Sequence, residues 1–127
     1  MMGPMNKLPI NPSVMLYGIP NCDTVRAARA WLTVHGVAHG FHDFKKQGVP
    51  LSQINHWIAV AVWEKLLNRR GLTWRKLDES TQASVVDAAS AVAVMSAHSS
   101  VIKRPVVLWP TGQITAGFDA EAWQRLC

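Results

Sequence analysis

Cysteine is scarce in this chain: there are two in 127 residues, Cys22 and Cys127, far apart in sequence. Such a pair does not make the disulfide framework of a small secreted domain. Neither belongs to a Cys-x-x-Cys motif, because Asp23, Thr24 and Val25 follow Cys22. A dithiol switch within one motif is therefore excluded, and redox chemistry at Cys22 needs a second thiol from outside. Cys127, the last residue, is expected to take no part. Long apolar runs are also missing, none approaching the roughly 20 residues that cross a bilayer, so no membrane partner is expected. Residues 1–13 hold no apolar stretch of the signal-peptide kind, which makes them a flexible N-terminal extension and the protein cytoplasmic in expectation. Negative charge is the third shortage. Eight acidic residues face 13 lysines and arginines, giving a net charge of +5. A basic balance suits anionic partners. Hydrophobic residues make up 49% of the sequence, enough for the core of one ordinary domain.

The most informative stretch runs from Leu16 to Arg26. A short apolar run ends at Tyr17 and passes into the turn residues Gly18, Ile19 and Pro20. Cys22 follows, and then Asp23 and Thr24, two residue types favoured at helix starts. That order puts Cys22 in a strand-to-helix loop, at or just before a helix N-terminus. Unpaired N–H groups there carry partial positive charge and favour a thiolate over a thiol. Most free cysteines are simply buried, but Asn21, Asp23 and Thr24 make apolar surroundings a poor reading of this one.

In chain order, Met15 to Gly18 reads as a buried strand. Ala27, Ala28, Trp31 and Leu32 recur at helical spacing between Thr24 and His35, and Gly36 ends the helix. His39 to Phe44 reads as a second strand, completing a right-handed βαβ unit. His35, His39 and His42 span a helix end and a strand with no further ligand nearby, so they are read as surface histidines and no metal is expected. Lys45 to Pro50 reads as a turn. Helical patterns follow over Leu51–Val60, Trp63–Asn68 and Ser80–His98, with Trp74 and Leu77 anchoring a turn and Asp87 marking a break. Strands return at Val106–Trp109 and Gln113–Ala116 around Pro110-Thr111-Gly112, an antiparallel hairpin. Asp119 is placed to cap a last helix over Ala120–Leu126, with Ala122, Trp123 and Leu126 facing inward. The expected fold is α/β and thioredoxin-like. It has a mixed sheet, a core over residues 14–45 and 99–127, and a helical insert over 46–98.

Three stretches also resemble the arsenate reductase (ArsC)/Spx family, in its YffB-like branch. They are Tyr17 to Arg26, Leu66 to Leu77, and Val101 to Val106 with Gly117-Phe118. They come in the right order and span the chain from Val14 to its end. The resemblance implies that Cys22 is the nucleophile, with Arg104 beside it before a cis Pro105. It implies an arginine from the Asn68-Arg69-Arg70 stretch as well, and counting back from Trp74 and Leu77 selects Arg70. Asn21, Thr24 and Pro105 complete the expected substrate-binding set. Chemically, a guanidinium beside a thiolate stabilises the anion and offers a planar fork to an oxyanion or carboxylate. Proline lacks an N–H and leaves a neighbouring backbone group free to meet an incoming thiol. Arsenate reductases carry a further arginine that in register falls at Gly117, so one oxyanion ligand is absent here.

The expected function is thus a glutathione-dependent oxidoreductase, a monothiol reductase that binds no resident cofactor. Cys22 attacks an oxidised sulfur or oxyanion, and glutathione or a glutaredoxin resolves the adduct. Arsenate reductase is the nearer alternative. An Spx-like regulator binding RNA polymerase is the further one, weakened because Val25 stands where that switch has its second cysteine. Nucleic-acid binding ranks last, since no base-reading or stacking arrangement accompanies the basic residues.

Overall fold

The continuous apolar run Val14-Met15-Leu16-Tyr17 with Gly18 forms strand β1 (Val14–Gly18), whose successive side chains go to opposite, buried faces of a sheet. The computed structural model describes residues 14–126, so the expected extension and Cys127 lie outside the described residues. β1 pairs in parallel with β2 (His39–Asp43) and antiparallel with β3 (Val106–Leu108). β3 in turn pairs antiparallel with β4 (Ile114–Ala116), giving the strand order β2-β1-β3-β4. A parallel pair needs a crossover, and helix α1 (Asp23–Val34) supplies it. This mixed four-stranded sheet with its βαβ and ββα halves is the thioredoxin-like fold.

The two faces of the sheet bury separate apolar clusters. Under α1 and α8 (Ala120–Leu126) lie Val14, Leu16, Ala28, Leu32, Val107, Trp109 and Trp123. Trp109 and Trp123 meet edge to face with ring centroids 5.0 Å apart, and the Trp109 indole N–H donates to Thr115 Oγ1 at 2.9 Å. The other face is covered by the helical middle of the chain. Its helices are α2 (Phe44–Gln47), α3 (Leu51–Val60), α4 (Trp63–Leu66), α5 (Leu72–Lys76), α6 (Glu79–Ala83) and α7 (Ala88–Ala97). Tyr17, Ile54, Trp57, Leu66, Met95 and Ile102 are among the side chains packed there.

Helix α1 buries Val25, Ala28 and Leu32, while Ala27, expected on the same face, is exposed. A helix turns by about 100° per residue, so Ala27 points away from the stripe that Val25, Ala28 and Leu32 define. Gly36, at φ 69°, closes the helix: its N–H reaches Thr33 O at 3.1 Å, and Val37 N–H reaches Leu32 O at 2.8 Å. At the other end of the chain Asp119 caps α8, accepting from Ala122 N–H at 3.2 Å.

Several elements differ from the sequence reading. Phe44 starts a helix and does not end the strand, and the first half of the turn expected over Lys45–Pro50 belongs to that helix. Asp43 is the cause: its carboxylate accepts from Lys45 N–H at 2.8 Å and Lys46 N–H at 3.4 Å, and its own N–H donates to Gln47 Oε1 at 3.0 Å. The helix expected to run to Asn68 stops at Leu66. Leu67 leaves it to pair with Ile102, through Asn68 N–H to Val101 O and Lys103 N–H to Leu66 O, both 2.7 Å. The strands of the hairpin are one residue shorter than expected, ending at Leu108 and starting at Ile114.

The break at Asp87 is as expected, and it is a capping box. Asp87 accepts from Ser90 N–H at 2.9 Å while Ser90 Oγ accepts from Asp87 N–H at 3.0 Å. The Ser90 hydrogen bonds hold the Asp87 carboxyl below its ordinary value of 3.8. A group depressed in the folded state contributes stability that is complete above the ordinary value and is lost as pH falls through the folded one. Asparagine caps as well but does not titrate in this range. Asp87→Asn is therefore expected to flatten the fall in melting temperature as pH drops below about 4, measured by circular dichroism.

Candidate active site

Cys22 is the N-cap residue of α1, extended at φ −145° and ψ 124°, and its carbonyl accepts from Arg26 N–H at 2.9 Å. Cys22 is half-buried against the apolar cluster that includes Tyr17 and Ile19, and its thiol forms no side-chain cap hydrogen bond. Asn21 and Thr24, expected to bind substrate, are both exposed on either side of it. Asn21 Oδ1 accepts from an Arg26 guanidinium nitrogen at 3.2 Å, and the same guanidinium pairs with Asp23. Arg26 was missed as a neighbour of the site; the i, i+3 spacing of Asp23 and Arg26 was the available signal.

Arg104 and Pro105 arrive from the other half of the chain, joined by a cis peptide as the resemblance implied. Pro105 is buried, and its carbonyl accepts from Gly117 N–H at 2.9 Å. The Arg104 segment meets the start of α1 across Gly18. A methyl group at Gly18 would sit 3.1 Å from Val25 Cγ2, which would have to give by a few tenths of an ångström, and 3.8 Å from Arg104 Cβ, an ordinary contact. Beside this junction Tyr17 is packed edge to face on Trp57, centroids 4.9 Å apart. Burial pushes the Tyr17 phenol above its ordinary value, so it adds no negative charge.

Arg70 lies on the turn after α4, where its N–H donates to Asn68 Oδ1 at 3.2 Å. It lines an open groove of about 870 Å³ together with Asn68, Lys103 and Gly117; Cys22 and Arg104 are not among the lining residues. The Leu67–Ile102 pairing ties the two regions, since Arg70 follows Leu67 by three residues and Arg104 follows Ile102 by two. The neighbouring Arg69 is engaged elsewhere, its guanidinium carbon 5.6 Å from the Trp63 ring centroid and 5.7 Å from that of Trp74. Gly117 has φ 86°, and a methyl group there would lie 3.1 Å from Lys103 Cε. Lys103 was not singled out from the sequence, although it directly precedes Arg104-Pro105.

Among the described residues the only ion pair is Arg26 with Asp23, so Arg70, Lys103 and Arg104 have no carboxylate within 4.0 Å. His35 Nδ1 lies 2.8 Å from Trp31 O, His39 Nδ1 3.1 Å from Val37 O, and His42 Nε2 2.8 Å from Gly48 O. No group of three metal-ligating side chains is present among the described residues. None of their helices is long and apolar enough to cross a membrane.

A thioredoxin-like sheet, one cysteine at the start of the crossover helix and a cis proline just before β3 define a single-cysteine site on that fold. Residues 17–126 match the ArsC family, and the chain belongs to it. A solved structure named YffB protein is 43% identical, covering 89% of this chain and 97% of its own, with a TM-score of 0.82. An arsenate reductase (ArsC) related protein from Brucella melitensis is also 43% identical, over 92% of this chain and 96% of its own, at a TM-score of 0.70. An uncharacterised protein of Haemophilus influenzae is 36% identical over 111 residues, 87% of this chain and 96% of its own.

Proposed function

We propose that the protein is a glutathione-dependent thiol reductase with Cys22 as its single nucleophile. The observation that carries the reading is the position of Cys22. It is the N-cap of a 12-residue helix, its thiol is uncommitted to any cap hydrogen bond, and the Arg104 side chain, just before cis Pro105, approaches Val25 of that helix across Gly18. Negative charge is favoured at such a position. In the reaction, the Cys22 thiolate attacks one sulfur of a disulfide, forming a mixed disulfide and releasing the other half as a thiolate. A glutathione thiolate then attacks that mixed disulfide, restoring Cys22 and leaving with the substrate sulfur; a glutaredoxin can take the same part. Arg104 neutralises the departing or bound anion, and Pro105, Asn21 and Thr24 line the approach. Arg70 contributes from the adjoining groove. The arsenate branch, in which Cys22 forms an arseno-thiol adduct, has less support because Gly117 supplies no side chain to hold an oxyanion.

Mass spectrometry after incubation with oxidised glutathione, and separately with arsenate, tests this. The expected result is one glutathione added at Cys22 and no arsenate adduct. An arsenate adduct alone would move the protein to the other branch, and no adduct with either would remove the enzymatic reading.

A further inference from the structure

We propose that the outer edge of β4 takes up an extended acidic segment of a partner protein as a further strand of the sheet. β4 ends the strand order, with β3 on one side and no described strand on the other. Its register on β3 settles which way its backbone groups point. Trp109 N–H donates to Gln113 O and Gly117 N–H to Pro105 O, both at 2.9 Å, so residues 113, 115 and 117 turn their backbone groups to β3. The N–H and C=O groups of Ile114 and Ala116 therefore face outward. Among the described residues, no backbone hydrogen bond outside the ladders reaches them. Such a row of unpaired groups is a template for another strand.

Beside this edge lies the open groove of about 870 Å³ that also holds Arg70. Successive side chains of a strand leave from opposite faces of a sheet, yet residues 113–117 all line this one groove. A groove that meets both sets runs along the edge and not over a face. Its far wall is the stretch 64–70 with Lys103. Four cations line it, Lys65, Arg69, Arg70 and Lys103. Arg69 is held over Trp63 and Trp74, and the other three have no carboxylate within 4.0 Å among the described residues. Of the two carboxylates in the lining, Asp119 is occupied in capping α8, which leaves Glu64.

This balance selects the occupant. Main-chain bonds from Ile114 and Ala116 set the register of an added strand, but each nets little in water. Affinity then depends on carboxylates reaching Lys65, Arg70 and Lys103. Residues 1–13 carry a lysine, three prolines and no carboxylate, so they are a poor match. A second copy of β4 would bring the same cations face to face. Cys22 and Arg104 do not line the groove, so the docked strand does not cover the thiol.

The test titrates three capped heptapeptides into the full, isotope-labelled chain and follows amide shifts and hydrogen exchange. One alternates Val with Glu, one alternates Val with Lys, and the third is a fully N-methylated copy of the first. The Val/Glu peptide is expected to slow exchange at Ile114 and Ala116 and to leave Thr115, which faces Val107, unchanged. The other two peptides are expected not to bind. Ala116→Pro removes an outward N–H and no ladder bond, a change that edge strands tolerate, and is expected to abolish binding. Lys65→Glu is expected to weaken it about tenfold, since reversal removes an attraction and adds a repulsion. That second variant keeps the test decisive where Ala116→Pro fails to fold. No binding of the Val/Glu peptide at millimolar concentration overturns the proposal. Equal binding by the Val/Lys or N-methylated peptide, or indifference to Lys65→Glu, does the same. Protection of Ile114 and Ala116 without peptide also overturns it, assigning the edge to a second copy where it grows with protein concentration and to the chain itself where it does not.

Discussion

Cys22→Ser is expected to abolish adduct formation with oxidised glutathione and to lower any disulfide-reductase turnover by on the order of a thousandfold or more. The thiolate is the species that attacks a disulfide, and a serine hydroxyl is neither ionised near neutrality nor able to form a mixed disulfide. The informative part of the experiment is the stability of the variant. Cys22 occupies the N-cap of α1 without a side-chain cap bond, and serine is among the best residues at that position. The hydroxyl can accept from a first-turn N–H where the thiol does not. The melting temperature is therefore expected to stay the same or rise slightly while reactivity disappears. A variant that lost both would show the cysteine to be a packing residue, contrary to the assignment.

Trp57→Ala is expected to cost about 3–5 kcal/mol of folding stability, read as a lower urea midpoint at constant slope. Trp57 is 0% exposed and lies where α3 meets the sheet, edge to face with Tyr17 and with Phe44 at a centroid distance of 6.5 Å. Removing the ring opens the cluster that joins the helical middle of the chain to β1. Domains of this size are stable by about 5–15 kcal/mol, so the loss is a large share of the total. Trp57→Phe is expected to cost far less, under about 1.5 kcal/mol. The indole N–H is buried with no hydrogen-bond partner, so phenylalanine removes a donor that makes no bond. Equal losses in the two variants would show that ring volume is not what holds α3 in place.

The thioredoxin-like architecture was legible because its pieces are local. A short apolar run marked β1, the pair Asp23-Thr24 marked the start of α1, and Gly36 marked its end. The hairpin around Pro110-Thr111-Gly112 and the cap at Asp119 were visible for the same reason. The misreading at Phe44 came from a conflict between two local signals. The strand-favouring aromatics Phe41 and Phe44 suggested a strand through Phe44, but the reciprocal bonds of Asp43 and Gln47 win and start a helix there. The early end of α4 had no local signal, because a partner 35 residues away, Ile102, sets it. In the site, Cys22 could be placed from neighbours in sequence, and Arg104-Pro105 from the resemblance. The nearness of Lys103 to Gly117 could not be seen that way. It depends on β4 running back along β3, which brings residue 117 to the cis proline and the lysine before it.

The pairing of Leu67 with Ile102 has a consequence for how the chain tolerates change. It closes a loop whose two ends lead to Arg70 and Arg104, so the positions of both follow from the closure and not from the length of chain between. Loop-closure entropy grows only logarithmically, about 0.6 kcal/mol for each doubling. Residues can be gained or lost between α5 and α7 at small cost, provided that the clasp and the apolar contacts of α7 remain. Length variation in this protein is expected to collect there, beside the groove lined by Arg70 and Lys103, whose geometry it leaves alone.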